Sequence, residues 1–185
     1  GPIATHFRTF VQYHSQKSWT WEHMALSRAR VISGSRQLKK DVKTVIQETL
    51  VKVRDVNVLK KDVSDMREKI QKANNTNIIW DVKYIRGGLL DIEFIAQYLQ
   101  LKHASDDHRI LSTNTEKALK NLRKNNLLPK DSAKQLIDAL NLWQIIQGTL
   151  RLTLTDNYKL ENNLPTPIEN LILDATNISN KRMLE

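Results

Sequence analysis

Trp19-Thr20-Trp21-Glu22-His23-Met24-Ala25-Leu26-Ser27-Arg28-Ala29-Arg30 brings two tryptophans, an acid and two arginines into about three helical turns. An arginine held on a rigid helix beside a cleft is a natural phosphate ligand, because its planar guanidinium is always charged and donates in pairs. Helical spacing puts Trp21, Ala25 and Arg28 on one face, with Glu22, Leu26 and Arg30 along an adjacent one. The plainer alternative is that Trp21 packs in the core and the arginines make ion pairs; periodicity does not separate the two. Asp91 and Glu93 resemble a paired carboxylate, but residues two apart on a helix point about 200° from each other and cannot share an ion from one face. Asp91, just after Gly87-Gly88, reads better as a first-turn acid at a helix N-terminus. The five histidines, His6, His14, His23, His103 and His108, lack ligand spacing, so no metal site is expected from them. A glycine-rich phosphate loop, a His-Glu-x-x-His pair and a Gly-x-Ser-x-Gly elbow are all missing.

The elements that must position these residues read as helices almost throughout. Five glycines and four prolines leave few breaks. Phe7, Phe10, Val11 and His14 share a face of a short opening helix. Trp21, Ala25, Arg28 and Ile32 mark a second, with Gly34 as its glycine cap. Leu38, Val42, Val45, Ile46, Leu50 and Val53 form an apolar stripe, and Leu59, Val63, Met66 and Ile70 another, which Asn57 could cap. Residues 78–85 are the one stretch that reads as extended, and Gly87-Gly88 turns it. Ile92, Phe94, Ile95, Tyr98, Leu99 and Leu101 are apolar nearly all round, which implies a buried central helix. A shorter helix around Ala118, Leu119 and Leu122 closes at Asn125-Asn126. Pro129 and Asp131 open the longest, running toward Leu154, and Pro167 suits the first turn of a last one. The expected fold is all-α, a helical bundle without internal repeats.

Composition narrows the function. The chain has 185 residues, 40% hydrophobic and 26% charged, which fits an ordinary globular domain rather than a disordered or repetitive one. The absence of cysteine excludes disulfides, a zinc ribbon, a thiol nucleophile and an iron–sulfur centre. No apolar run approaches the ~18 residues of a membrane helix, and no signal peptide is seen, so a cytoplasmic location is expected. The net charge of +9 invites an anionic partner. The lysines are dispersed, however, and no zinc-finger spacing, arginine block or aromatic RNA-binding pattern accompanies them, so nucleic acid is not the expected partner. The chain opens with Gly1-Pro2 rather than Met, as an excised segment or an expression remnant would.

At this point the motifs become recognisable. Trp19-Thr20-Trp21-Glu22-His23-x-Ala25-Leu26-x-Arg28-Ala29-Arg30-Val31 resembles the block closing the nucleotidyltransferase domain of the bacterial glutamine synthetase adenylyltransferases. Asp81-Val82-Lys83, then Gly87-Gly88-Leu89-Leu90-Asp91-Ile92-Glu93-Phe94-Ile95 with Gln97, is similar to the signature of the helical domain behind it. Met66-Arg67-Glu68-Lys69 resembles the piece between them, and Gly1 through Phe10 and Tyr13 the stretch before. The Thr-Trp-Glu-His form looks more like the C-terminal, adenylylating half of that two-part enzyme.

The resemblance implies two parts: residues 1–36 as the end of a nucleotidyltransferase domain, and 37–185 as a helical bundle of the PII-uridylyltransferase type. It implies a parent enzyme that moves AMP from ATP to a tyrosine of glutamine synthetase, regulating nitrogen assimilation under PII signal proteins, with Mg²⁺ and ATP as cofactors. Gly34-Ser35 is present without the family's Asp-x-Asp, so no catalytic or metal residue can be assigned and neither cofactor is expected to bind the piece well. Glu22, Arg28 and Arg30 would lie beside the nucleotide. Trp21, Lys83, Gly87, Gly88, Asp91, Glu93 and Gln97 would be structural, joining the two domains through the turn into the central helix. The alternative is a non-catalytic helical module docking on glutamine synthetase or a PII protein. A PII uridylyltransferase shares the helical domain, but the Trp-Glu-His block argues against it.

Overall fold

The computed structural model describes residues 4–154 and 160–177. Among them the regular structure is helical: α1 (Phe7–Gln16), α2 (Thr20–Leu26), α3 (Arg36–Leu50), α4 (Val56–Ala73), α5 (Leu89–His103), a single 3-10 turn (His108–Ile110), α6 (Thr115–Lys124), α7 (Lys130–Thr153) and α8 (Thr166–Thr176). The expected all-α class is what the chain adopts. Two compact units divide it, one from residues up to Met66 with Phe94–Ala133, the other from Arg67–Glu93 with residues from Lys134 onward.

The first unit has a core of Met24, Leu26, Leu50, Leu59 and Leu101, drawn from α2, α3, α4 and α5, with Phe10, Ile46, Val63, Phe94 and Tyr98 packed against it. Each buried aliphatic side chain of this size contributes about 1.5–3 kcal/mol. Ile110, Ala118, Leu119 and Leu122 are fully buried, and Gln100 ties their neighbourhood down by accepting from the Ser112 N–H (2.7 Å). In the second unit Trp80 is 2% exposed. Its indole N–H donates to the Asn162 carbonyl (2.9 Å), while the Asn162 side chain accepts from the Ile79 N–H (2.9 Å).

Local chemistry sets the helix ends. Ser35 caps α3 by accepting from the Leu38 N–H (3.2 Å). Asp55 rather than Asn57 caps α4, accepting from the N–H groups of Asn57 (2.8 Å) and Val58 (2.9 Å); a carboxylate at that place also meets the positive end of the helix dipole. Asn114 caps α6 through the Lys117 N–H, and Asn126, at φ 58°, follows its end. Pro167 sits in the first turn of α8.

Three expectations need correcting. The second helix does not run on to Gly34; α2 ends at Leu26, and Ile32 is 88% exposed. Gly34, at φ +132°, lies in the bend that leads into Ser35 and α3. Residues 78–85 form successive turns instead of an extended strand, closed by N–H donation from Tyr84 and Ile85 to the Asp81 carbonyl. Helix α5 buries Leu89, Ile92, Ala96, Gln97, Gln100 and Leu101, yet Ile95 remains 39% exposed, so its apolar surround is not fully covered.

Candidate functional site

Glu22 stands at the third position of α2 and accepts from the Trp19 N–H (2.8 Å), closing the helix start, and also from the Tyr13 hydroxyl. The helix stops early because the N–H groups of Arg28 and Ala29 reach back only three residues, to Ala25 and Leu26, while that of Ser27 is shared between His23 and Met24. The Ser27 hydroxyl donates to the Met24 carbonyl as well (2.7 Å), competing with the helical pattern as serine often does. The chain therefore leaves the helix between Leu26 and Arg28, and the two faces predicted for the arginines do not exist. Trp21 stays outside the core, 48% exposed, and Met24 takes the interior position. Arg28 is exposed beyond the helix end, and Arg30 turns toward a cleft.

That cleft has a volume of about 470 Å³. Its floor is apolar, from Leu26, Ala29, Ile46, Leu50 and Leu111. Arg30 and Lys43 supply its cations, with His108 and the hydroxyls of Ser112 and Thr113 as further polar groups. Among the described residues, no carboxylate lines it. Arg30 is the one residue of the nucleotide-proximal set that lies there. Lys43, His108 and Ser112 carry no sequence signal of their own; they meet Arg30 only through the packing of α3 and the 3-10 turn.

Behind α2 lies a polar network around Arg54. Its guanidinium donates to the carbonyls of Thr49 (2.7 Å), Leu50 (2.9 Å) and Lys52 (2.7 Å), closing the C-terminus of α3, where carbonyls lack partners. It also donates to His23 Nδ1 (3.5 Å). With Nδ1 accepting, the proton of neutral His23 sits on Nε2 and is donated to Ser18 Oγ (2.7 Å), which donates in turn to the His14 carbonyl (3.3 Å). Burial, then the Arg54 charge, push the His23 pKa down to about 4.

The glycine turn of the second unit is built around Arg67 and Asp91. The Arg67 side chain, 7% exposed, engages both oxygens of Asp91. It also donates to Gln71 Oε1 (2.8 Å) and to the Tyr84 carbonyl (3.1 Å). Asp91 accepts from the Gly87 N–H (2.6 Å), and Trp143 Nε1 donates to the Gly87 carbonyl (3.0 Å). Lys83 lies over the Tyr84 ring at 4.6 Å. Glu93 is half-buried on α5, and Gln97, on the same helix, is buried among the first unit's residues. Arg67 escapes a reading by residue type, since it looks like part of a solvated Arg-Glu-Lys run. Its signal is its phase: it follows Val63 by four and Leu59 by eight, on the apolar stripe of α4.

Comparison with known proteins agrees with the motifs. The family described as GlnD PII-uridylyltransferase matches residues 57–177, and that described as glutamate-ammonia ligase adenylyltransferase matches residues 1–45. A bifunctional glutamine synthetase adenylyltransferase/adenylyl-removing enzyme of Rhodopseudomonas palustris is 39% identical over 161 residues, 87% of this chain and 16% of that protein. The enzyme of the same description from Bradyrhizobium diazoefficiens is 40% identical over 161 residues, again 87% and 16%; that from Xanthobacter autotrophicus is 38% identical over 152, 82% and 15%. The chain thus spans about one-sixth of the length of these relatives. Two adjoining family matches, in the order the Trp-Glu-His and Gly-Gly blocks imply, place this chain in the glutamine synthetase adenylyltransferase family, with a helical region of the PII-uridylyltransferase family over residues 57–177.

Proposed function

We propose that this chain is the C-terminal portion of an enzyme that transfers AMP from ATP to a tyrosine of glutamine synthetase, in a cytoplasm where PII proteins set its direction. The observation that carries the reading is the pair of adjoining family matches, with the Trp-Glu-His block inside the first. Catalysis of this kind rests on clustered carboxylates that hold Mg²⁺ against the triphosphate. Among the described residues, no three His, Asp or Glu side chains converge to hold a metal ion, so these residues do not fit Mg²⁺ and no step is assigned to one here. What they supply is a helical scaffold and a basic edge. Of Glu22, Arg28 and Arg30, Arg30 is best placed to meet a nucleotide phosphate, whereas the Glu22 carboxylate is engaged in closing α2.

A second reading, a non-catalytic module docking on glutamine synthetase or a PII protein, draws support from charge. Residues 28–43 hold Arg28, Arg30, Arg36, Lys39, Lys40 and Lys43 against Asp41 alone, a surface suited to an acidic partner. Supplying the nucleotidyltransferase portion of a relative in trans separates the two. With Mg·ATP and glutamine synthetase, incorporation of AMP into a tyrosine that depends on this chain supports the transferase reading. Binding of glutamine synthetase without any incorporation sinks it in favour of docking.

A further inference from the structure

Helix α7 has an inner face and an outer one. Ile146 and Leu150 are turned inward, 1% and 7% exposed. On the opposite side Asn141, Ile145, Gly148 and Leu152 recur at spacings of four, three and four, the seam of a helix that packs along another helix. Ile145 is 40% exposed there, and Leu152, at 90%, is the most exposed large apolar side chain among the described residues. From Ala139 to Leu150 the helix carries no charged residue. Gly148 is a second, independent sign. Glycine inside a helix is less stable than alanine, and among the described residues nothing lies within 4 Å of where its Cβ would stand. The chain's own packing makes no use of the missing side chain; a close approach from outside does.

We propose that this face pairs with the same face of a second copy of this chain, the two α7 helices running antiparallel about a two-fold axis. Ile145 of each copy then seats in the notch at Gly148 of the other, and Asn141 of each lies opposite Leu152. Large meets small in both directions, as a contact between identical surfaces requires. A parallel pair would set Ile145 against Ile145 and leave both notches empty, and opposed helix dipoles favour the antiparallel pair as well. Charge selects the same occupant. The chain carries +9, so two copies repel over most of their surface, and an uncharged stripe is where they can touch. An acidic partner finds no cation between Ala139 and Leu150. A single helix pair buries less than a standard interface, so the dimer is weak, with a Kd on the order of 10–100 μM. The pairing is independent of AMP transfer.

The test is sedimentation equilibrium of the whole chain, with concentrations taken from about 1 μM to about 1 mM to bracket that Kd. Dimer should appear over this range and tighten as salt is raised, because screening removes the mutual repulsion of two cationic copies. Ile145→Glu should weaken it at least ~10-fold by placing a charge in an apolar contact. Gly148→Leu fills the notch and should weaken it as much, yet raise the melting temperature by about 2–4 °C, since leucine is the better helix former and its Cβ has open space. Those opposite signs separate a lost contact from a damaged fold. The chain has no cysteine, so singly substituted Asn141→Cys and Leu152→Cys chains, mixed in air, should cross-link to each other faster than either does to itself. A chain still monomeric at the highest concentration, a dimer that weakens with salt, a G148L variant that dimerises like the unmodified chain, or faster self-cross-linking of L152C would each overturn the proposal.

Discussion

Arg67 and Asp91 stand 24 residues apart in sequence and meet as a two-point fork, the arginine almost wholly out of water. The same carboxylate holds the Gly87 N–H, so one side chain joins α4, the glycine turn and the first turn of α5. Removing a partner from a pair this buried leaves the other charge without compensation, which costs about 3 kcal/mol or more. Asp91→Ala should therefore lower the melting temperature by roughly 6–12 °C for a chain of this size. Arg67→Met with Asp91→Leu should recover much of that loss, since the charges vanish together. A melting temperature unmoved by Asp91→Ala would show that the fork contributes nothing.

The two glycines of the turn make different demands. Gly87 has φ +77° with open space where a Cβ would go, so Gly87→Ala should cost about 1–2 kcal/mol of backbone strain. At Gly88 a Cβ would sit 2.4 Å from the Val82 carbonyl oxygen and 3.0 Å from that of Ile85. Backbone cannot step aside cheaply, and Gly88→Ala should cost about 3 kcal/mol or more. Urea unfolding of the two variants checks the order, and equal losses would contradict it.

His23 should make stability pH-dependent. Arg54, Lys52 and His14 disfavour its charged form and Glu22 favours it, with burial the largest influence. The unfolded chain takes up this proton near pH 6.5, the folded chain only near 4. The unfolded state thus binds more protons in that window, and stability present above pH 6.5 falls as pH drops toward 4. For a half-exposed ring the loss attributable to His23 is on the order of 1 kcal/mol after solvent screening. His23→Gln offers one acceptor and one donor without a titration, so its unfolding free energy should vary less with pH across 4–6.5. An unchanged pH slope would rule out His23 as its source.

Arg54 should matter through its carbonyls. Arg54→Met keeps the stem but leaves the last carbonyls of α3 without donors, and should destabilise by about 2 kcal/mol. Arg54→Lys, with a single compact head, should recover less than half of this, because one ammonium cannot span three carbonyls and an imidazole. Chemical denaturation of both variants reads the difference.

Most of the helices are legible because burial on one face imposes a 3.6-residue apolar period, and α1, α3, α4 and α6 all carry it. Their ends are less so. Gly34 offers itself as a helix stop, yet α2 has already ended through a serine hydroxyl and two shortened backbone bonds just after Ser27, which leave no mark in the apolar pattern. Residues 78–85 look extended since Ile78, Ile79, Trp80 and Val82 are strand formers. Trp80 is instead fixed from far along the chain by Asn162, and the backbone turns to let it. The cleft is half legible. Arg30 sits in a motif dense enough to notice, whereas Lys43 and Ser112 reach it from α3 and from the loop before α6, and only tertiary packing brings them there.

The grip of Asn162 on Trp80 has a consequence for the order of synthesis. Of the second unit, residues 67–93 leave the ribosome first, and the forty residues 94–133 of the other unit follow before any of 134–177 exist. The Arg67–Asp91 fork can close on the nascent chain as soon as Asp91 emerges. Trp80 must wait some seventy residues longer for its carbonyl. During that interval its indole is an exposed apolar surface on a growing polypeptide, the kind that chaperones engage. Any truncation between 154 and 162 would make the wait permanent.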